Sequence, residues 1–227
     1  MKPSRALVRP ACFLALGLLA LGGAAAPGWA APRQAPGPGT DQGLPPWQGL
    51  WQSPPQPAAG AVLAPVDLAI GGQGKLLVAD RQLGRLQRFT PQGGVEQVYT
   101  LPEGPFADLM GVAADPARGR VYASDAQRGL VAVFAEDGRL LERWTDFQRP
   151  EALALGEEGR LHIYDRGRSA IVSRTPEGRQ AMDNIPVQVP QSSGGELPNG
   201  LAVDGRGQIW FAAEAPVATL RPVLYVF

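Results

Sequence analysis

Cysteine and histidine are each present only once in this chain of 227 residues. The single cysteine, Cys12, lies in an N-terminal stretch that has the features of a signal peptide. The mature chain is therefore predicted to contain neither a disulfide nor a thiol nucleophile. One histidine, His162, cannot build a multi-histidine zinc site. Because His162 also lies within a predicted β-strand, we expect a packed or hydrogen-bonded core residue rather than a catalytic one.

An excess of charge of one sign is lacking as well, since 21 basic and 21 acidic residues cancel. Such a balance provides no electrostatic field for nucleic acid or for an anionic membrane, so no nucleic-acid partner is predicted. Phosphate-binding loops are lacking too, because Gly71-Gly72-Gln73-Gly74 is predicted to be a hairpin turn rather than a nucleotide cradle. Ser169 and Ser173 lie near His162 in the sequence, but no nucleophile-elbow motif accompanies them.

The N-terminal part of the chain has the composition of an export segment followed by a leader. Residues 1–30 combine a positively charged start, an apolar run and the small-x-small exit Gly28-Trp29-Ala30, which predicts a secretory signal peptide. The protein is therefore expected to be secreted or periplasmic, without a stable membrane span after cleavage; a retained anchor is the alternative. Residues 31–64 are rich in Pro and Gly and predict an irregular leader. Residues 65–227 form a repeat region.

Four copies of one pattern fill the repeat region. Asp80, Asp125 and Asp165 occupy one repeat position, 45 and 40 residues apart, and Ala213 takes that position in the fourth copy. A period of about 40 to 45 residues with four short strands per unit is typical of a β-propeller blade. The predicted fold class is therefore all-β, a β-propeller with about four four-stranded blades.

Each unit is predicted to contain strands a, b, c and d, with strand a innermost. Alternating apolar residues and turn residues place these strands. Tyr122, Trp144, Tyr164 and Trp210 recur on strands b and d and are predicted to pack between blades. The predicted positions are 68–70, 112–114, 153–155 and 201–203 for strand a; 76–78, 121–123, 161–163 and 209–211 for strand b; and 86–89, 130–134, 170–173 and 224–227 for strand c.

The fourth unit reaches only the position of its c strand. Residues 47–52, which include Trp47 and Trp51, precede the first a strand at the distance expected of a d strand. We therefore hypothesise a four-bladed ring whose last blade takes its outer strand from residues 47–52, which would remove an exposed sheet edge. The alternative is a truncated relative of six-bladed propellers.

The repeats resemble a known family. Pro-x-Gly-Leu-Ala-Val-Asp, then Gly followed by apolar residues and Ala-Asp, resembles the NHL repeat of NHL and TolB-like propellers over residues 65–213. This resemblance implies a platform for ligand or protein binding. The segment Leu197-Pro198-Asn199-Gly200-Leu201-Ala202 also resembles the gluconolactonase (senescence-marker) family, which implies Asn199 and Glu151 as calcium ligands. That family's Asp motif has no clear match in this chain, and two of its usual six blades are missing.

Strand direction predicts which polar residues share one end of the propeller. Strand a begins where strand b ends, because the two strands are antiparallel neighbours, and the insertion at 183–198 would overhang the same end. A concave, acidic, loop-rimmed surface suits a divalent cation or a polar ligand. The predicted ligand-binding rim comprises Asp67, Glu151, Asn199 and Glu214, beside Asp80, Asp125 and Asp165; Glu151 and Asn199 are the predicted metal ligands.

Each of these residues has a structural alternative. Asp80, Asp125 and Asp165 end a strand and enter a turn, where a carboxylate typically accepts backbone N–H bonds, and we favour that interpretation for them. Asn199 would form an Asx-type turn before strand a. Glu151 would be a solvated charge on the rim.

Two functions are compatible with the sequence. The leading hypothesis is a non-catalytic scaffold of NHL type that binds a protein, glycan or small molecule at the loop-rimmed end and needs no cofactor. The alternative is a calcium-dependent, lactonase-like hydrolase with the metal at the mouth of the central channel, where it would polarise a carbonyl. The sequence identifies no catalytic residue for that reaction.

Overall fold

The computed structural model describes residues 61–187, 200–213 and 223–227. These residues form fifteen β-strands, and the three helical segments among them are 3-10 turns of three residues each, so the predicted all-β class is confirmed. None of the described residues forms a helix long and apolar enough to cross a membrane. The predicted signal peptide, most of the leader and the proposed closing strand at 47–52 lie outside the described residues.

The strands form four antiparallel sheets, one for each repeat, and each sheet follows chain order. Three sheets have four strands and the described part of the fourth has three, which confirms the predicted four-unit propeller. The strands are β1 (Pro65–Ile70), β2 (Leu76–Asp80), β3 (Arg85–Phe89), β4 (Val95–Tyr99), β5 (Leu109–Asp115), β6 (Arg120–Asp125), β7 (Leu130–Ala135), β8 (Leu140–Trp144), β9 (Pro150–Leu155), β10 (Leu161–Asp165), β11 (Ala170–Arg174), β12 (Ile185–Pro186), β13 (Gly200–Val203), β14 (Ile209–Ala213) and β15 (Val223–Val226).

The predicted a, b and c strands match the observed strands in all four units. The second unit differs in one respect, because its turn between strands a and b is one residue longer. Leu109 therefore pairs with Asp125, as Pro65 pairs with Asp80 and Pro150 pairs with Asp165.

The blades pack face to face in chain order, with the innermost strands β1, β5, β9 and β13 as successive neighbours. Side chains alternate across each strand, so one strand contributes to two interfaces. In β6, for example, Val121 and Ala123 pack against the first blade, whereas Tyr122 packs toward the third. Three apolar cores therefore lie between four blades.

Aromatic residues reinforce these cores, as the sequence predicted. The rings of Tyr99 and Phe134 meet edge to face with centroids 5.6 Å apart. Tyr164 and Phe211 join the third and fourth blades at 4.5 Å. Tyr122, Tyr164 and Trp144 are buried, which confirms the prediction for these three residues. Trp210 is half-buried instead, and its indole Nε1 donates to Asp204 Oδ2 at 3.2 Å.

Candidate functional site

One end of the described blades gathers most of the predicted site residues. Pro65 lies opposite Asp80, and Pro150 lies opposite Asp165, so the starts of the innermost strands and the ends of the second strands share this end. We call this end the mouth face, defined by the starts of β1, β5 and β9 and the ends of β2, β6 and β10. Asn199 and Glu214 lie outside the described residues.

The three repeated aspartates have a structural role at the mouth face. Each is fully buried, with 0% exposure. Each carboxylate accepts backbone N–H bonds from the segment that enters its own blade, which confirms the structural interpretation of these residues. The donors are Leu63 (2.6 Å) and Ala64 (3.3 Å) to Asp80, Ala107 (2.8 Å) and Asp108 (3.2 Å) to Asp125, and Gln148 (3.0 Å) and Arg149 (2.8 Å) to Asp165.

A chain of ion pairs crosses the mouth face from the first blade to the third. Arg81 Nε donates to Asp108 Oδ1 at 2.7 Å, and Asp108 Oδ2 lies 3.6 Å from Arg149 Nη2. Arg149 Nε donates to Glu151 Oε1 at 2.8 Å, and Arg166 Nη1 reaches the same oxygen at 3.3 Å. We call these five residues the mouth chain. They join three successive blades through ion pairs, and all of these except the 3.6 Å pair of Asp108 and Arg149 are charge-assisted hydrogen bonds.

Burial separates the two signs of charge at this face. The carboxylates of Asp80, Asp108, Asp125, Glu151 and Asp165 belong to residues that are at most 8% exposed. The acidic surface predicted for Asp80, Asp125, Glu151 and Asp165 is therefore wrong, because these carboxylates turn inward to accept N–H bonds. Their partners are arginine side chains that are about one-third exposed: Arg81 (35%), Arg128 (34%), Arg149 (36%), Arg166 (30%) and Arg168 (31%).

Glu151 shows most clearly how the observed burial differs from the predicted exposure. It is 3% exposed and held by two guanidinium groups, so its interpretation as a solvated rim charge is wrong. Two exposed acids do occur in the loops that lead to this face, namely Asp146, paired with Arg174, and Glu103, paired with Arg143.

The donor set for calcium can be tested only on the described residues. Calcium takes six to eight oxygen ligands. Within the described ranges, no group of three or more His, Cys, Asp or Glu side chains is placed to hold a metal ion. Glu151, the predicted ligand in these ranges, faces Arg149 and Arg166, whose positive charges oppose a divalent cation. These residues do not fit the predicted calcium site.

Asp67 connects the innermost strands of the first two blades. Its Oδ2 accepts the N–H of Val112 at 2.8 Å, and its Oδ1 accepts the N–H of Leu68 at 2.8 Å. Burial of this half-buried side chain raises its pKa from 3.8 to about 6, against the opposing effect of the two N–H bonds. Asp67 therefore changes charge near neutral pH.

This pKa predicts how the variant Asp67→Asn responds to pH. The folded-state pKa lies above the unfolded value, so the stability that Asp67 contributes is present below about pH 4 and is lost as pH rises through 6. An asparagine still accepts the Val112 N–H but cannot ionise. We expect the urea midpoint of the variant to rise relative to that of the native chain between pH 4 and pH 7.

Asp204→Asn provides a control, because the stability that Asp204 contributes is expected to depend on pH in the opposite direction. Backbone N–H bonds from Arg206 and Gln208 hold the pKa of Asp204 below its usual value of 3.8. The stability that Asp204 contributes is present above that usual value and is lost as the pH falls through its lowered folded-state pKa. A difference between Asp67→Asn and the native chain that stays constant with pH would contradict the assignment.

His162 is a core residue, as predicted. It is 4% exposed, and its Nδ1 lies 2.8 Å from Ser173 Oγ on the neighbouring strand of the third sheet. Burial lowers the pKa of the imidazole to about 4, so His162 is neutral at physiological pH. Ser173 is fully buried, so the histidine–serine pair lies inside the sheet.

A second link between blades involves residues that the sequence did not single out. Ser124 Oγ donates to the backbone carbonyl of Glu151 at 2.7 Å and accepts the N–H of Gly111 at 2.8 Å. A Cβ at Gly111 would lie 2.2 Å from that same carbonyl oxygen. The close approach of the second and third blades therefore requires glycine at position 111.

The mouth-face arginines could have been found from their spacing. Arg128 and Arg168 follow repeated aspartates by three residues and pair with them, at 2.8 Å and 3.5 Å. Arg81 and Arg166 directly follow Asp80 and Asp165, the last residues of β2 and β10. Arg149 and Asp108 precede strand a and carry no comparable signal.

Comparison with solved structures identifies the class of fold. A streptogramin B lyase is 19% identical, with a TM-score of 0.54 over 69% of this chain and 49% of its own. Virginiamycin B lyase from Staphylococcus aureus is 17% identical, with a TM-score of 0.52 over 70% of this chain and 54% of its own. A putative gluconolactonase is 25% identical, with a TM-score of 0.51 over 64% of this chain and 56% of its own.

The chain is a β-propeller protein, and it spans about half the length of these structures. No protein-family model matches its sequence. No curated protein matches it either.

Proposed function

We propose that this protein is an exported, NHL-type propeller that binds its ligand at the mouth face without catalysis. The mouth chain carries this proposal. Its guanidinium groups are about one-third exposed, yet buried carboxylates fix them at distances such as 2.7 Å and 2.8 Å. Side chains that are held in place before binding lose less conformational entropy when a ligand arrives. This is the geometry of a preorganised binding surface.

The bonding of the polar groups that could in principle take part in catalysis also supports a non-catalytic scaffold. His162 and Ser173 bond to each other within the third sheet, and both are buried. Glu151 binds arginine side chains. These groups stabilise the blades, and the arginine side chains of the mouth chain are about one-third exposed at this face.

A hydrolase of the lactonase type is the second candidate. Two observations favour it: the 25% identity to a putative gluconolactonase and the raised pKa of Asp67. A carboxyl group that titrates near neutral pH can act as a general base. In this candidate, Asp67 would take the proton of water, and Glu151 would not serve as a calcium ligand because it already binds Arg149 and Arg166.

Ligand-observed NMR on the full chain separates the two functions. The probes are a panel of sugar lactones and their open-chain acids, in calcium and in chelator. We expect at least one compound to bind, weaker binding in Arg149→Lys, and lactone half-lives equal to those in buffer alone. Protein-dependent lactone conversion that falls in Asp67→Asn would establish the hydrolase instead. If no compound of the panel bound in a way that depends on Arg149, the proposed scaffold function at the mouth face would be overturned.

A further inference from the structure

We propose that residues 48–60 of the leader pack on one face of the first blade, with Trp51 as the main apolar contact. The surface is the face of the first sheet that points away from the second blade, and we call it the entry face. Alternate residues of the same strands form the core with the second blade. Residues that lie directly opposite one another on the four strands form one row of the entry face: Leu68, Val78, Gln87 and Val98.

The middle of the entry face is buried. Val78 is 7% exposed, and Gln87 is fully buried, as is Phe89 two residues further along the same strand. None of the three apolar cores between the described blades contains Val78 or Phe89. Leu68 and Val98, at the two margins of the face, are 57% and 37% exposed. A narrow segment that crosses the middle of the face would produce this pattern, whereas a whole blade would also cover the margins.

The first described residue, Ala61, lies on the entry face and identifies the occupant. Ala61 is fully buried, and its carbonyl oxygen accepts bonds from Gln87 Nε2 at 2.9 Å and from Arg85 Nη2 at 3.4 Å. The residues that precede Ala61 therefore start from the middle of this face. Ten positions separate Ala61 from Trp51, and in an extended chain they span up to about 30 Å. Four strands are only about 14 Å wide, so the segment can cross the whole face.

Two buried polar atoms of the entry face also require a partner. Gln87 Oε1 and Arg85 Nε have no hydrogen bond among the described residues. Leaving such atoms unpaired costs free energy, so the segment that covers them has to supply a donor and an acceptor. Residues 48–52 carry both kinds of group on their backbone, and Trp51 adds an indole N–H. Leu50 and Trp51 supply the apolar surface that Val78 and Phe89 need.

Covalent attachment favours the leader over a second copy of the chain as the occupant. A segment on a short flexible tether acts at an effective concentration on the order of millimolar. A second copy has to reach that concentration in solution and also loses translational and rotational freedom when it binds. Packing on the entry face further removes Leu50 and Trp51 from water.

Fluorine NMR of the full chain labelled with fluorotryptophan tests this inference. Each tryptophan contributes one resonance, and the resonance that Trp51→Phe removes belongs to Trp51. A nitroxide label is attached to Leu68→Cys at the margin of the entry face, in a chain whose native Cys12 is replaced by serine. We expect the label to broaden the Trp51 resonance strongly, because paramagnetic broadening falls steeply with distance.

Two further label positions act as controls. Leu141→Cys carries the label on the second blade, where the native leucine is a strand residue of 40% exposure, and it should leave the Trp51 resonance sharp. Val226→Cys carries the label on the fourth blade, at a residue that is 45% exposed. Broadening from Val226→Cys alone would overturn the proposal and place the segment at the last blade, as the closing-strand hypothesis requires. Urea midpoints verify that each labelled variant is folded.

Dilution of the labelled Leu68→Cys chain separates the leader from a second copy. Broadening that is independent of protein concentration would support the leader, because the contact is then intramolecular. Broadening that disappears on dilution would place a second copy on the entry face and overturn the assignment. A Trp51 resonance that stays sharp with the label at Leu68→Cys would overturn it as well. These outcomes leave ligand binding at the mouth face unaffected, so the proposed function stands or falls separately.

Discussion

Gly111→Ala is expected to lower the free energy of unfolding by about 3 kcal/mol, since overpacking and loss of a buried hydrogen bond add. A methyl group at this position would lie 2.2 Å from the carbonyl oxygen of Glu151 and 3.0 Å from Ser124 Oγ. The nearest obstacle is backbone of the next blade, which cannot rotate away as a side chain could. The second and third blades must therefore separate, and Ser124 loses its bond to the carbonyl of Glu151.

Urea denaturation followed by far-UV circular dichroism measures this effect. Gly94→Ala is the matched control, because its Cβ would meet Thr90 Oγ1 at an ordinary 3.4 Å. We expect the control to change stability by less than about 0.5 kcal/mol. Equal midpoints for the two variants would show that the blades can move apart at no cost and would contradict the close approach at Gly111.

Asp125→Ala is expected to cost about 2–4 kcal/mol, because two backbone N–H groups at the mouth face lose their acceptor. Its carboxylate accepts the N–H groups of Ala107 and Asp108 and pairs with Arg128 at 2.8 Å. Alanine leaves the two amides without this acceptor and Arg128 without its counterion. Asp125→Asn keeps acceptor capacity and should fall between the native chain and alanine.

Two measurements test this prediction, namely urea midpoints and hydrogen exchange at the amides of Ala107 and Asp108. Exchange at these two positions should accelerate in Asp125→Ala beyond the change in global stability. Asp137→Ala is the control, since Asp137 also accepts a backbone N–H, from Arg139, but its side chain is 66% exposed. If both aspartate variants lost the same stability, burial would not be what makes Asp125 important.

The propeller could be predicted from sequence because its signals are local. Alternating apolar residues and turn residues recur with the same spacing as Asp80, Asp125 and Asp165. Each strand can be recognised from its own residues alone. The structural role of these aspartates follows from the same logic, because a carboxylate at the end of a strand has backbone N–H groups close by. The burial of His162 was predictable for similar reasons.

The charge distribution of the mouth face could not be predicted in this way. Arg81 meets Asp108 across 27 residues, and Arg149 lies 41 residues beyond Asp108. Such pairs depend on how far one blade is rotated against the next, which no local pattern encodes. Glu151 was therefore interpreted as exposed, although the arginines on either side of it in space bury its carboxylate.

The three aspartate clamps also determine how the protein would respond to a mechanical load. Each aspartate clamp, meaning the bonds of Asp80, Asp125 or Asp165 to backbone N–H groups, joins residues only 16 to 18 positions apart. It therefore stabilises the first hairpin of its own blade and makes no bond to a neighbouring blade. Separate bonds join neighbouring blades, such as the bond from the Val112 N–H to Asp67. A chain pulled from its ends would therefore release whole blades one at a time. Each release would add about 150 Å of contour length, at roughly 3.4 Å per extended residue.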